Sequence, residues 1–210
     1  MYSFQNRDIP GVAKPKTAQH DQFGQKVAAR SQNDFCDPHA VFHQLGIREG
    51  MKVVDLGAGT GAYTKLFANG VGGTGMVYAI DVQKDILQRL KRELDQKGYT
   101  NITYIWANIE KPEGTKVADN SVDFVFISNV LFQVESVSAV LTEVYRILKP
   151  KGRVAIIDWS ESFNGMGPSE KQVISKGEML RHTHEARLAS VGTFEAGSHH
   201  YGIFVEKPAL

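Results

Sequence analysis

Three glycines at alternate positions, Gly57, Gly59 and Gly61, follow the run Val53-Val54-Asp55-Leu56 and precede a helical pattern. Glycine permits positive φ and lets a ligand approach the backbone closely. The free amides of the helix that follows offer donors to a polar group. The loop is therefore expected to hold a nucleotide-like ligand. The motif does not say which one. Gly57, Gly59 and Ala62 satisfy the dinucleotide fingerprint G-x-G-x-x-G/A, and Gly70, Gly72 and Gly75 satisfy it again. The second match precedes a strand instead of following one, so a flexible turn is expected there.

Two acids help to choose among ligands. Asp55 lies two residues before the first glycine, where an acid would sit poorly beside a pyrophosphate and well beside a cationic amino group. With Gly61 as third glycine the pattern is D-x-G-x-G-x-G. Asp81 closes the next strand about twenty residues on, where a carboxylate can accept both hydroxyls of a ribose. Asp81 serves NAD and S-adenosylmethionine alike. Asp55 and the glycine spacing favour S-adenosylmethionine, with an NAD-dependent oxidoreductase as the alternative.

Other residues could do chemistry. Trp159 at a strand end, and His199, His200 and Tyr201 in a final hairpin, are candidates for the acceptor side. A histidine there could act as a base or be a partly exposed hairpin residue. Tyr63 could lie near a transferred group or pack within the first helix after the loop. Phe23, Phe35 and Phe42 could form a lid or anchor the N-terminal segment. His182 and His184, two apart on a helix, do not make a helical metal pair, and no metal is expected. Cys36 is a lone thiol, expected to be a bystander.

These residues need a scaffold. The 210 residues are 42% apolar and 22% charged, with 24 basic and 23 acidic side chains. That suits one globular domain and gives no default preference for nucleic acid or an anionic membrane. One cysteine excludes an internal disulfide, and the first residues have no apolar h-region, so a cytoplasmic chain without stable membrane insertion is expected. Residues 1–33 are expected to form a loosely ordered arm or lid, and residues 34–210 a single domain. Asp37-Pro38 opens a short helix. Strands are expected at 51–56, 76–80, 102–107, 122–128 and 153–158, with helices at 62–68, 84–97 and 136–148 between them. Residues 149–152 are expected to be a turn. Ser175-Lys176-Gly177-Glu178 has the form of a capping box and opens a helix to about Ala189. A hairpin from 190–195 and 200–206 then extends one sheet edge. Alternating elements of this length imply a parallel sheet covered by helices.

On these motifs, over residues 37–207, the sequence resembles the class I S-adenosylmethionine-dependent methyltransferases, and more narrowly the type 11 branch. The resemblance implies an α/β, Rossmann-like, doubly wound seven-stranded sheet, mostly parallel with an antiparallel last strand and helices on both faces. It implies that Asp55, Gly57, Ala58, Gly59 and Gly61 pack against the methionine part of the donor. Asp81 would bind the ribose and Val82 lie on the adenine. Asn108, where many members have Asp, and Ile109 would contact the adenine, and Ser128 or Asn129 the methionine. The product would be S-adenosyl-L-homocysteine. Ser128-Asn129-Val130-Leu131 stands where amide and adenine N-methyltransferases often carry Asn-Pro-Pro-Tyr, and no basic aromatic patch points to nucleic acid. A small-molecule or lipid-like quinone-precursor acceptor follows by family analogy. A non-catalytic donor-binding protein would carry the same loop. Methyl transfer needs donor and acceptor aligned at about 3 Å, and a base only for a weakly acidic acceptor. The catalytic residues and the oligomeric state therefore stay open.

Overall fold

The computed structural model describes residues 36–209. The expected N-terminal arm, with Phe23, and the neighbouring Phe35 lie outside the described residues. Pro38–Phe42 forms α1, capped by the Asp37 carboxylate, which accepts from the His39 amide. Alternation then follows: β1 Lys52–Leu56, α2 Ala62–Val71, β2 Met76–Asp81, α3 Lys84–Gln96, β3 Ile102–Trp106 and β4 Val122–Ser128. α4 Val137–Ile147, β5 Leu148–Trp159, α5 Lys176–Glu185, β6 Ala189–Phe194 and β7 His200–Glu206 complete the order.

The seven strands make one sheet in the order β3-β2-β1-β4-β5-β7-β6. The pairs from β3 to β5 are parallel, and β7 runs antiparallel to both its neighbours. This is the expected Rossmann-like topology. Period-two alternation sends Val54, Leu56, Val125, Ile127, Val154 and Ile156 to one face, against α4 and α5. Val53, Val77, Phe124, Phe126, Ala155 and Ile157 go to the other, against α1 and α2, with α3 on the Ala79 side. The strands nearest the centre are apolar on both faces because helices cover both.

Three local expectations change. Residues 149–152 do turn, but inside β5: Val122 pairs with Leu148 and Phe124 with Arg153, so the turn bulges out opposite Asp123. Lys149 fixes the bulge through a 2.6 Å ion pair to Asp123. α2 continues through Gly70, where a Cβ would come within 2.7 Å of Phe42 Cζ. That glycine is a packing position under α1, and Phe42, packed on Phe67 at 6.0 Å, anchors α1 instead of serving as a lid. α5 stops earlier than expected. Arg187 takes a φ of 62°, and the amides of Arg187 and Leu188 donate back to His184 O and Thr183 O. Such a left-handed stop is usually a glycine, so the sequence carries no cue for it.

Candidate active site

The strand order reverses where β1 lies between β2 and β4, and open α/β sheets bind ligands outside the carboxyl ends of such strands. A cleft of about 340 Å³ opens there. Of the predicted donor residues, Gly57, Gly59, Asp81, Val82, Asn108, Ile109, Ser128 and Asn129 line it.

Each glycine has its own reason. Gly57, at φ 82°, lets the turn after β4 come close: a Cβ would stand 2.3 Å from Val130 Cγ2. Gly61, at φ 80°, makes room for α3, since a Cβ would stand 2.1 Å from Leu90 Cδ1. Gly59, at φ 51°, faces open space, its nearest neighbour being Gly57 O at 4.0 Å. It is the loop glycine with room for a ligand.

Asp81 organises the loop before any ligand arrives. One carboxylate oxygen accepts from the Gly59 amide and the other from the Gln83 amide, both at 2.8 Å. Each oxygen keeps a second lone pair for a hydroxyl. Beside it, Val82 is 62% exposed, an apolar surface fit for a flat ring. The Trp106 indole N–H holds that corner by donating to Val82 O at 2.9 Å. Asn108 forms an Asx turn, accepting from the Glu110 amide at 2.9 Å, and Glu110 accepts from the Ser136 amide at the start of α4. Asn129 takes a left-handed φ of 57°, and its carbonyl accepts from the Gln133 side chain at 2.7 Å. Its own Oδ1 is buried without a partner.

Asp55, Ala58 and Gly61 are not on the cleft wall. Asp55 is buried beneath α2 and accepts from the Thr64 hydroxyl at 2.5 Å. Burial pushes its carboxyl up to about 7, against the lowering effect of the Thr64 bond and with help from the nearby Asp81. Ala58 packs in the cluster of Leu87 and Leu90.

The acceptor-side candidates sit at the same rim, on β5 and β7 with His199 just before β7, and do not line the cleft. Trp159 pairs with His200, their rings 4.3 Å apart. Tyr201 pairs with Asp158 and so lies on the opposite face. His199 Nδ1 lies 2.6 Å from Glu161 Oε1. The four therefore do not form one cluster. Tyr63 packs on Phe126 at 4.3 Å and shares a 3.2 Å hydrogen bond with Cys36. Sequence reasoning missed Gln83, Glu110, Val130, Gln133 and Val134 on the wall. Polarity just after strands β2 and β3 could have found Gln83 and Glu110. The other three lie in or beside the short 3-10 helix Leu131–Gln133, whose spacing gives no cue to ligand contact. Among the described residues no group of three or more His, Cys, Asp or Glu could hold a metal ion.

A methyltransferase domain family matches residues 47–206. The chain belongs to this family. A crystal structure of an S-adenosylmethionine-dependent methyltransferase from Aquifex aeolicus is 28% identical, with a TM-score of 0.74, covering 87% of this chain and 97% of that one. The ubiquinone/menaquinone biosynthesis C-methyltransferase UbiE of Haemophilus ducreyi is 38% identical over 117 residues, 55% of this chain and 44% of that protein. UbiE of Pasteurella multocida is 31% identical over 155 residues, 67% of this chain and 57% of that protein. The chain thus spans about half the length of these curated relatives. The fold alone does not carry the reaction, since a [4+2]-cyclase, SpnF, shares it with a TM-score of 0.71 at 12% identity. The methyltransferase family and the Aquifex description agree with S-adenosylmethionine, the ligand expected from the glycine loop.

Proposed function

We propose that this chain transfers a methyl group from S-adenosylmethionine to a carbon of a small hydroxylated aromatic acceptor of the quinone-precursor class. The observation that carries the donor assignment is the Gly59–Asp81 pair. A glycine with open space beside it is tied at 2.8 Å to a carboxylate that retains acceptor capacity. Asp81 would hold the ribose hydroxyls, Val82 would cover the adenine, and Asn129 Oδ1 would meet the cationic methionine end. The donor supplies an electrophilic methyl whose leaving group departs as a neutral thioether. The protein's part is to hold the acceptor in line and exclude water, worth roughly 7–11 kcal/mol when alignment is good. The acceptor class rests on the names of the UbiE relatives and on the absence of an Asn-Pro-Pro-Tyr tetrapeptide after β4. No helix among the described residues is long and apolar enough to cross a membrane. A cytoplasmic chain meeting a lipid-like acceptor at a surface is consistent with that.

Calorimetric titration with S-adenosylhomocysteine and, separately, NADH tests the donor. Binding of the first and not the second is expected; the reverse returns the reading to an oxidoreductase. Labelled methyl transfer to 1,4-naphthalenediol, kept reduced, tests the acceptor. Donor binding with no transfer to this diol would remove the aromatic acceptor and favour a donor-binding protein or another acceptor.

A further inference from the structure

Three buried oxygens without partners belong to residues at adjacent register positions of β4, β5 and β7, the first just past the end of β4: Asn129 Oδ1, Asp158 Oδ2 and the Tyr201 hydroxyl. Ser128 pairs with Ile157, and the Asn129 amide donates to Ile157 O at 2.9 Å, so Asn129 follows β4 beside Asp158. Asp158 faces Tyr201 directly across the β5–β7 pair. Alternation puts Asp158 on the face of Val154 and Ile156, and Tyr201 packs in that same cluster. Neighbouring strands lie about 5 Å apart, so Asp158 and Tyr201 rise from adjacent backbone positions into the same layer.

Asp158 is 1% exposed and Tyr201 8%. Buried polar atoms are almost always bonded, so unpartnered ones mark a place where a polar group arrives. The surroundings here are apolar, including Leu131, Ile156 and Ile203. The other Asp158 oxygen accepts from the Trp159 amide at 2.9 Å. The amides of Phe132 and Leu131 approach the carboxylate without aligning on Oδ2. These groups orient the carboxylate and leave one oxygen for a ligand. Burial pushes the carboxyl up to about 6, against the lowering effect of those amides, which suits a base near neutral pH. Burial likewise pushes the Tyr201 phenol up, with Asp158 and Glu178 adding to the rise, so it remains a donor. Asn129 joins the row to the donor cleft, since it lines that cleft.

We infer that Asp158 and Tyr201 form the subsite for the acceptor's hydroxyl oxygen, with Asp158 Oδ2 taking its proton and the Tyr201 hydroxyl donating to the oxygen left behind. This rests on the aromatic acceptor proposed above. Loss of the O–H proton to Asp158 drives electron density into the ring, and a ring carbon bonds the methyl carbon as the methyl–sulfur pair goes to sulfur. The ring C–H proton then departs to water and Asp158 returns its proton to the acceptor oxygen. One proton is released for each methyl transferred.

The test uses the full chain, S-adenosylhomocysteine and 1,4-naphthalenediol kept reduced. Wild type should bind the diol in the presence of S-adenosylhomocysteine. Tyr201→Phe should weaken that binding about tenfold, the loss expected when a site hydrogen bond to a hydroxyl is removed, while its folding midpoint stays near wild type. Asp158→Asn should lower kcat by about 10²–10⁴-fold, the range of general-base catalysis, and remove the acid limb of the rate profile at about pH 6. S-adenosylhomocysteine should bind this variant within about twofold of wild type, because the carboxylate is not on the donor cleft wall. If rate and donor affinity fall together in Asp158→Asn, the residue only clamps the turn after β4 and the inference is overturned. Unchanged diol binding in Tyr201→Phe overturns it too. Should wild type bind the diol without methylating it, the aromatic acceptor fails as substrate while Tyr201→Phe still decides the subsite. Should wild type not bind the diol at all, both fail.

Discussion

Replacing Asp55 by asparagine removes a charge from beneath α2 while keeping an oxygen that can accept from Thr64. The wild-type carboxyl is raised from 3.8 to about 7, chiefly by burial. Between about pH 4 and pH 7 the native chain therefore binds more protons at this site than the unfolded chain, and stability falls as pH rises through that window. Below the window both states are protonated and the site costs nothing. Above it the buried charge exerts its full cost. A shift of about three units at 1.36 kcal/mol each sets that cost at about 4 kcal/mol. Asp158, raised from 3.8 to about 6, acts in the same direction, but it is present in both chains and cancels in the comparison. Urea unfolding followed by tryptophan fluorescence, at several values from about pH 4 to about pH 8, gives the two stability curves. The stability of Asp55→Asn minus that of wild type should climb by about 4 kcal/mol across the window, less any constant penalty of about 1–3 kcal/mol for an amide hydrogen left unbonded. A difference constant to within about 1 kcal/mol would refute the claim that Asp55 is a buried, charge-penalised helix anchor.

Two further contrasts follow from the same loop. Gly59→Ala and Gly61→Ala each place a side chain at positive φ, costing about 1 kcal/mol or more. Gly61→Ala should also lower the unfolding midpoint further, because its Cβ meets Leu90 at 2.1 Å, whereas Gly59→Ala has space and should chiefly weaken S-adenosylhomocysteine binding. Similar losses of stability and affinity in both would undo the division of roles. Asp81→Ala should abolish measurable S-adenosylhomocysteine binding, since it removes the ribose acceptor and the bond that shapes Gly59; unchanged affinity in calorimetry would refute that assignment.

The conformation of the glycine loop was legible because its information is local. Gly57, Gly59 and Asp81 act through the turn that contains them or the end of the next strand, and spacing reports that directly. The fold was legible for a similar reason: helical and strand periods alternate cleanly from 52 to 159, and β7 is apolar enough to insert beside β5. Asp55 shows the limit. Its partner, Thr64, comes from the next helix turn, so its part in anchoring α2 is not visible in the motif. Gly61 is similar, its lack of a side chain answering to Leu90 on α3. In each case the motif residue serves packing that becomes visible only when another element is in place.

The acceptor end was illegible for a different physical reason. Asp158 and Tyr201 are forty-three positions apart and meet because β7 inserts antiparallel beside β5 in one particular register. A slip of one residue would put Tyr201 on the Trp159 face and His200 opposite Asp158. The sequence offered Trp159, His199, His200 and Tyr201 as one group, and the register splits them between two faces. The aspartate that the structure adds to Tyr201 carries no cue to its chemistry, because a lone Asp at a strand end has no motif. Methyl transfer needs little from the protein beyond alignment, so acceptor residues are free to vary in type and place while the donor loop keeps its pattern. A chain of this fold therefore announces its donor in the spacing of a few neighbouring residues. In this chain the two residues proposed for the acceptor are brought together by strand register, which spacing along the sequence does not report.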